Sequence, residues 1–451
     1  MNMPNYFLAD LPPEAELTAG LITDACQTLK RNRERYLENR TTDSLVGILD
    51  AVGRDWLSDD FPFRKRALEA GPSCAGFSRE VLAAGLDQFF KQLTAPNLDA
   101  LLRQELGHPG RLDNFFADEE GGSRRAALAL GPQLLAHVAP GNVPNPVLMN
   151  MVLGLLVRSA QFVKCASGQT LLPQLFAHSL YDADHKLGAC LEIATWKGGL
   201  DALDAALFAE ADGVVVVGSD ETVAAIRGKV PRTARFLGYG TRVSFGYVTR
   251  EALEHQAHAV VRRAAADVSA WNQLGCLSPH VIYVEEGTRV SADAFASLLA
   301  AELDALEKTH PRGPLPVEEA AAIARRRAFY EVRAAHSLET KLWTSADSTA
   351  WTVVLESDSN FQISCLNRFI YVKAVSGLTQ ALHGLGAVQE NISTVGLAAG
   401  SAQAAELARA FARWGVKRIC PLGQMQNPPL GWRHDGRPPL GDLVRWSDWE
   451  K

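Results

Sequence analysis

No apolar run in this sequence is long enough to cross a bilayer: the longest, VLMNMVLGLLV at 147–157, falls well short of the roughly 20 residues that a spanning helix needs. The opening MNMPNYFLADLPPEAEL lacks a basic stretch followed by an apolar core, which is how a secretory leader reads. Neither membrane insertion nor export is expected, and a cytoplasmic location is. Paired cysteines are lacking too. The seven cysteines, at 26, 74, 165, 190, 276, 365 and 420, are odd in number, scattered and never spaced as CxxC, which argues against a disulfide framework and against a zinc site, so no metal is expected. Strong charge of either sign is missing: 45 Lys and Arg against 51 Asp and Glu give a formal charge of −6. The basic clusters, RKR at 64–66 and ARRRA at 324–328, are short and lie in helical patterns, so nucleic acid is not an expected partner. There is no internal repeat and no low-complexity linker.

What is present is an ordinary folded composition, 47% hydrophobic and 21% charged over 451 residues, enough for two or three domains with their own cores. Residues 14–105 read as helices broken at Pro and Gly near 61–73 and 95–96. From about 130 the texture becomes strand and helix in alternation: PQLLAHVAP, then PVLMNMVLGLLVRSA, QFVKCA, LLPQLFAHSLYDADH, CLEIATW, LDALDAALFAEA, GVVVVGS and DETVAAIRGKV. That alternation predicts a doubly wound parallel sheet, which binds nucleotides at the carboxyl ends of its strands. A second α/β domain follows, with an alanine-rich helix leading to the strand HVIYVEEG. The expected division is 1–246 for a helical opening and a nucleotide-binding domain, 247–420 for a catalytic domain, and 421–451 for a Pro/Gly-rich tail.

Between that helix and strand stands WNQLGCLSPH, with Cys276 in a tight turn. A sharp turn lifts a side chain off the regular backbone, which a nucleophilic thiol requires; a buried structural cysteine is the plainer alternative for any one Cys. The loop APGNVPNP and the strand ends FVKCASGQT and VVVVGSDETV supply further polar groups at carboxyl ends of expected parallel strands. Taken singly, Asn142 is a turn former between prolines, Lys164 a snorkelling strand-end lysine and Ser219 a helix cap. Their order and spacing together favour a site.

From about residue 130 onward these motifs resemble the aldehyde dehydrogenase superfamily, and NQLGCLSPH and the tail WRHDGRPPLGDLVRW are similar to its long-chain acyl-CoA reductase (LuxC-like) branch. The resemblance implies an aldehyde dehydrogenase-like α/β fold with a doubly wound cofactor domain and a second α/β catalytic domain. It implies Cys276 as nucleophile, Asn142 of PGNVP as an oxyanion donor, Lys164 on the adenosine ribose, and Gly218 and Ser219 at the pyrophosphate. Three departures matter. Phe236 in FLGYG stands where hydrolytic relatives carry the Glu that activates water, so a thioester is expected to be reduced rather than hydrolysed. Ser167 stands where NAD-preferring relatives often carry an acid, which favours NADPH by removing a charge that would repel a 2′-phosphate. No acidic residue stands in SCLNRFIYV, where the superfamily's ribose-binding Glu belongs.

Three histidines are candidates for lesser roles. His280, four residues beyond Cys276, is expected more as a packed strand residue than as an activator of the thiol; His137 is expected in the core; the role of His434 is open. The expected function is NADPH-dependent reduction of an acyl-CoA or acyl-carrier thioester to an aldehyde through an S-acyl cysteine, with an acyl-protein synthetase as a partner and a homo-oligomeric state. The alternatives are an oxidising aldehyde dehydrogenase, an acyl-accepting partner without turnover, and a cysteine hydrolase.

Overall fold

The structure, a computed structural model, describes residues 3–12, 14–117 and 125–450. The chain forms two compact units, Met1–Ala75 with Leu86–Gly240 and Pro429–Lys451, and Gly76–Gly85 with Thr241–Pro428. The segment after 420 is thus divided: its first residues belong to the second unit and the remainder to the first.

The chain opens with five helices, α1 (Ala19–Tyr36), α2 (Thr42–Leu57), α3 (Pro62–Ala75), α4 (Arg79–Gln92) and α5 (Ala95–Leu106). Thr18, Thr41 and Thr94 start α1, α2 and α5 by accepting N–H groups of the first turn. After β1 (Phe116–Ala117) and β2 (Arg125–Leu130) come β3 (Leu134–Val138), α6 (Asn145–Leu156), β4 (Ala160–Cys165), α7 (Leu171–Ala183), α8 (His185–Gly188), β5 (Leu191–Thr195), α9 (Asp201–Glu210), β6 (Gly213–Val217), α10 (Asp220–Arg227) and β7 (Arg235–Tyr239). The last five strands form a wholly parallel sheet in the order β5-β4-β3-β6-β7. Alternate residues face opposite ways. Leu134, Ala136, Phe162 and Val216 join Ile22, Cys26 and Leu29 of α1, Leu207 and Phe208 of α9 and Ile226 of α10 in one core. Gln161 faces the other side, against Gly154 of α6. Burial on both faces explains why β6 is an unbroken GVVVV.

The second unit continues with β8 (Val243–Val248), α11 (Arg250–Ser269), β9 (Pro279–Glu285), α12 (Ala292–Thr309), α13 (Val317–His336), β10 (Thr340–Thr344), β11 (Thr352–Glu356), β12 (Phe369–Val375), α14 (Leu378–Gly384), β13 (Ile392–Ala398), α15 (Ser401–Trp414) and β14 (Arg418–Pro421). Its seven strands run β10-β11-β12-β9-β8-β13-β14, parallel except for β10. Ile282, Val284, Ile370 and Val372 pack with α11 and α12; Phe245, Tyr283, Val354 and Tyr371 pack with α13 and α15. The tail then adds β15 (Arg445–Glu450), which pairs antiparallel with β2 beside β1.

Candidate active site

In the first unit the strand order reverses at β3, with β4 and β5 on one side and β6 and β7 on the other. The loops part at such a switch point, which opens a crevice at the carboxyl edge. Five of the expected residues gather along this edge. Asn142 is exposed in the loop after β3, and its Oδ1 accepts the Val143 N–H at 2.9 Å. Lys164, next to last in β4, lies 5.5 Å above the Trp196 ring. Burial draws its ammonium below the ordinary value, opposed by the Asp204 carboxylate. Ser167 is exposed two residues beyond β4. Gly218 and Ser219 follow β6. Ser219 caps α10 by accepting the Thr222 N–H at 3.3 Å, and a Cβ on Gly218 would come within 3.3 Å of the Thr222 side chain. The first turn of α10 carries exposed Asp220 and Glu221, which offset the positive end of the helix. A phosphate there would rely on the main-chain N–H groups and the Ser219 hydroxyl.

The expectation for Phe236 fails. Phe236 pairs with Val214 on the second rung of β7, three residues before the last rung, Val217 with Tyr239. At roughly 3.3 Å per residue it lies about 10 Å below the carboxyl edge. It packs against the core under the Arg227 guanidinium, 5.1 Å from its ring centroid. The edge residue is Tyr239, 5% exposed, stacked on His434 of the tail at 4.3 Å and 8°, with the Arg437 guanidinium 5.5 Å from its ring. Strand pairing decides this: the rungs follow the apolar alternation of β6 and β7, and the motif spacing in FLGYG does not. Residues 235–242, RFLGYGTR, carry no carboxylate in any register.

His137 is buried with Nε2 2.9 Å from Gln161 Oε1. Because Gln161 Nε2 donates to the Met151 carbonyl, the imidazole is the donor of that bond, and burial holds it down at about 4. It is a core histidine. His434 stacks on Tyr239 and lies 4.8 Å from Trp432, which ties the tail motif to the end of β7.

In the second unit α11 ends in a rare turn. Trp271, Asn272 and Gln273 have φ of 50°, 52° and 65°, three successive left-handed non-glycine residues that cost about 1 to 3 kcal/mol each unless their surroundings hold them. They are held. Trp271 packs edge-on against Phe77 at 5.1 Å, Asn272 donates to the Arg312 carbonyl at 2.8 Å, and Gln273 donates to the Pro279 and Phe369 carbonyls at 2.7 and 2.9 Å. Leu366, Asn367 and Arg368, at the entry to β12, repeat the conformation, and Arg368 reaches Asn272 Oδ1 at 3.1 Å. This second turn occupies the segment in which no acidic residue stands.

Cys276 follows in a turn closed by Ser278 N–H on the Gly275 carbonyl at 2.9 Å, so the thiol is on the second residue of four. It is part-exposed, whereas Cys26, Cys165, Cys190 and Cys420 are buried and burial pushes their thiols up to about 12. The Ser244 hydroxyl donates to the Cys276 carbonyl at 2.8 Å. Arg418, buried in β14, lies within electrostatic reach of Cys276; burial lowers its guanidinium, opposed by Cys420, Asp267 and Cys276. His280 does not act as an activator: its Nδ1 accepts the Ser364 N–H at 3.1 Å, and burial holds it at about 4, so it is neutral and packed near Phe361. Sequence reasoning missed Ser244, Gln273, Arg418 and the two left-handed turns. The one local hint of φ above zero in WNQ and LNR is the Asn of each, a residue enriched in that region; their neighbours give none.

Residues 37–446 match the family described as acyl-CoA reductase (LuxC). The chain belongs to that family. Acyl-CoA reductase membership makes the chain an enzyme, and the match begins well before residue 130, where the motifs first resembled the family, so α2 to α5 are part of what it shares. The long-chain acyl-protein thioester reductase of Aliivibrio fischeri is 24% identical over 92% of this chain and 83% of its own. Among solved structures, bifunctional proline utilization A superposes with a TM-score of 0.71 at 16% identity over 98% of this chain, which spans only 45% of that longer protein. An NAD-dependent benzaldehyde dehydrogenase from Corynebacterium glutamicum gives 0.69 at 11% identity over 97% and 91%. The acyl-CoA reductase chain therefore has the aldehyde dehydrogenase fold.

Proposed function

We propose that the chain reduces acyl thioesters to aldehydes with NADPH, through an S-acyl intermediate on Cys276. The observation that carries this reading is the part-exposed thiol on a turn whose carbonyl is tethered by Ser244. The Cys276 thiolate attacks the acyl carbon, an S–C bond forms, and the CoA or carrier thiolate leaves. The oxyanion formed on the way is steadied by the Asn142 amide and the Cys276 N–H, each worth about 3 to 4 kcal/mol when preorganised. Lys164, Ser167, Gly218 and Ser219 hold the dinucleotide, which when bound supplies the two reducing electrons and a hydrogen. Collapse of the thiohemiacetal oxyanion on Cys276 then frees the aldehyde and returns the thiolate.

NADPH is favoured over NADH because Ser167 brings no negative charge and because Lys197 is exposed just past β5, whose Thr195 pairs with Cys165 of β4. The acyl donor is CoA-bound or protein-bound, the second on the strength of relatives named for acyl-protein thioesters. Reduction, not hydrolysis, is favoured by the absence of any carboxylate in 235–242.

The test is a panel of saturated acyl-CoAs with loss of NADPH and of NADH absorbance followed in parallel. Many equivalents of aldehyde per chain are expected, with NADPH preferred, and Cys276→Ala is expected to stop both acylation and turnover. A single stoichiometric acylation would mean an acyl carrier; acid without nucleotide consumption would mean a hydrolase. Cys165→Ala, Cys190→Ala and Cys420→Ala should cost only stability, about 1 to 3 kcal/mol for a small buried side chain.

A further inference from the structure

The thiol turn is gripped by a side chain from a loop almost 150 residues away. After β14 the chain makes a tight loop whose course two buried charges fix. Arg418 donates to the Met425 and Gln424 carbonyls at 2.6 and 2.8 Å, and Asp267 of α11 accepts the Gly423 and Met425 N–H groups at 2.5 and 2.9 Å. Arg418 is 7% exposed and Asp267 2%. Four main-chain groups in three residues are thereby satisfied, which leaves the loop little freedom.

The consequence is the placement of Gln426. Its amide lies against Gly275, where a Cβ would come within 2.5 Å of Nε2 and 2.8 Å of Oε1. Nε2 also donates to Ser278 Oγ at 2.5 Å. Gly275 and Ser278 are the first and last residues of the turn that carries Cys276. On the other flank Ser244 Oγ holds the Cys276 carbonyl and accepts the Thr394 N–H at 3.2 Å, and Thr394 is the rung partner of Arg418. Without a Cβ, Gly275 leaves the Gly275–Cys276 peptide soft about ψ, and that peptide carries the N–H assigned to the oxyanion. The Ser278 N–H holds the carbonyl of that peptide at 2.9 Å, and the group packed over its Gly275 end is the Gln426 amide.

We propose that Gln426 is a positioning residue for the nucleophile: with Arg418 and Asp267 as its anchors, it fixes the Gly275–Cys276 peptide so that the Cys276 N–H faces the developing oxyanion. The inference rests on the reading of Cys276 as nucleophile. Its effect falls on acyl transfer and not on the thiol itself. Two reagents separate these. Dodecanoyl-CoA without nucleotide measures acylation, which needs the oxyanion donor; iodoacetamide measures alkylation of the same sulfur, which does not.

Gln426→Ala should slow acylation of Cys276 about 10- to 100-fold, within the range for loss of one oxyanion donor, while alkylation stays within about twofold. Gln426→Met, which keeps the bulk over Gly275 but not the bond to Ser278, should retain most of the acylation rate and serves if the Ala variant folds poorly. Ser278→Ala, which breaks the same bond and leaves the bulk over Gly275, should likewise retain most of the acylation rate. Acylation unchanged in both Gln426 variants, or acylation and alkylation falling together, would overturn the proposal. Absence of acyl label on Cys276 in the unsubstituted enzyme would instead overturn the nucleophile reading beneath it.

Discussion

At the scale of single residues, the proposed preference for reduction over hydrolysis turns on what stands at the carboxyl edge of β7. Phe236 is three rungs too low and packed in the core, so Phe236→Glu should destabilise the fold by burying a carboxylate and leave the lifetime of the acyl-enzyme unchanged. On the proposed function Tyr239→Glu should shorten that lifetime, and it too buries a carboxylate, since Tyr239 is 5% exposed beneath His434. Both are read by acylating with labelled acyl-CoA, omitting nucleotide, and timing the loss of label; a shorter lifetime for Phe236→Glu would restore the motif-based assignment. The residues themselves were legible in the sequence to different degrees. Asn142, Lys164, Gly218 and Ser219 could be read because strand ends are marked by turn residues after apolar runs. Tyr239 could not, because choosing between it and Phe236 needs the rung pairing with β6.

At the scale of elements, the opening helices are joined to the parallel sheet of their unit by a buried guanidinium. Arg158, two residues before β4 with φ of 58°, donates to the Arg40 carbonyl at 2.6 Å and the Thr42 hydroxyl at 3.1 Å and pairs with Asp113, while Arg33 of α1 donates to the Arg158 carbonyl at 2.7 Å. Arg158→Met should cost about 1 to 3 kcal/mol, because it leaves the Arg40 carbonyl without its donor, while Asp113 keeps the Thr42 N–H and hydroxyl. Denaturant unfolding checks it, and a loss under about 1 kcal/mol would mean the helices are held by apolar packing alone. Helix starts at Thr18, Thr41 and Thr94 were open to sequence reading, since capping is a local rule. The Arg158 staple was not, because its partners lie 45 to 125 residues away.

At the scale of the whole molecule, buried titratable groups oppose one another. His137 and His280 are held at about 4, so the unfolded chain takes up protons that the folded chain refuses as pH falls from about 6.5 toward 4, and stability is lost there. Burial raises Glu192 and Asp267 to about 7, so the folded chain holds those protons first, and stability is gained over much of the same window as pH falls. The net dependence between about pH 4.5 and 6.5 should be shallow. Glu192→Gln, whose amide oxygen can still accept from Leu8 and Ile193 as Glu192 does at 2.7 and 3.0 Å, should stabilise by about 1 to 2 kcal/mol at pH 8, where the native carboxyl is charged, and by almost nothing at pH 4.5. Melting temperatures at the two pH values test this; an equal gain at both would show that the carboxyl charge is not what costs stability. By itself the sequence determined the alternation of strands and helices, the two α/β sheets and the thiol turn, because periodicity, capping and turn chemistry act over a few residues. Only the tertiary structure decided which residue ends β7, that Trp271–Gln273 and Leu366–Arg368 turn left-handed, and that Gln426 lies over Gly275. Each depends on ladder register or on a side chain arriving from a distant segment, and no local pattern encodes either.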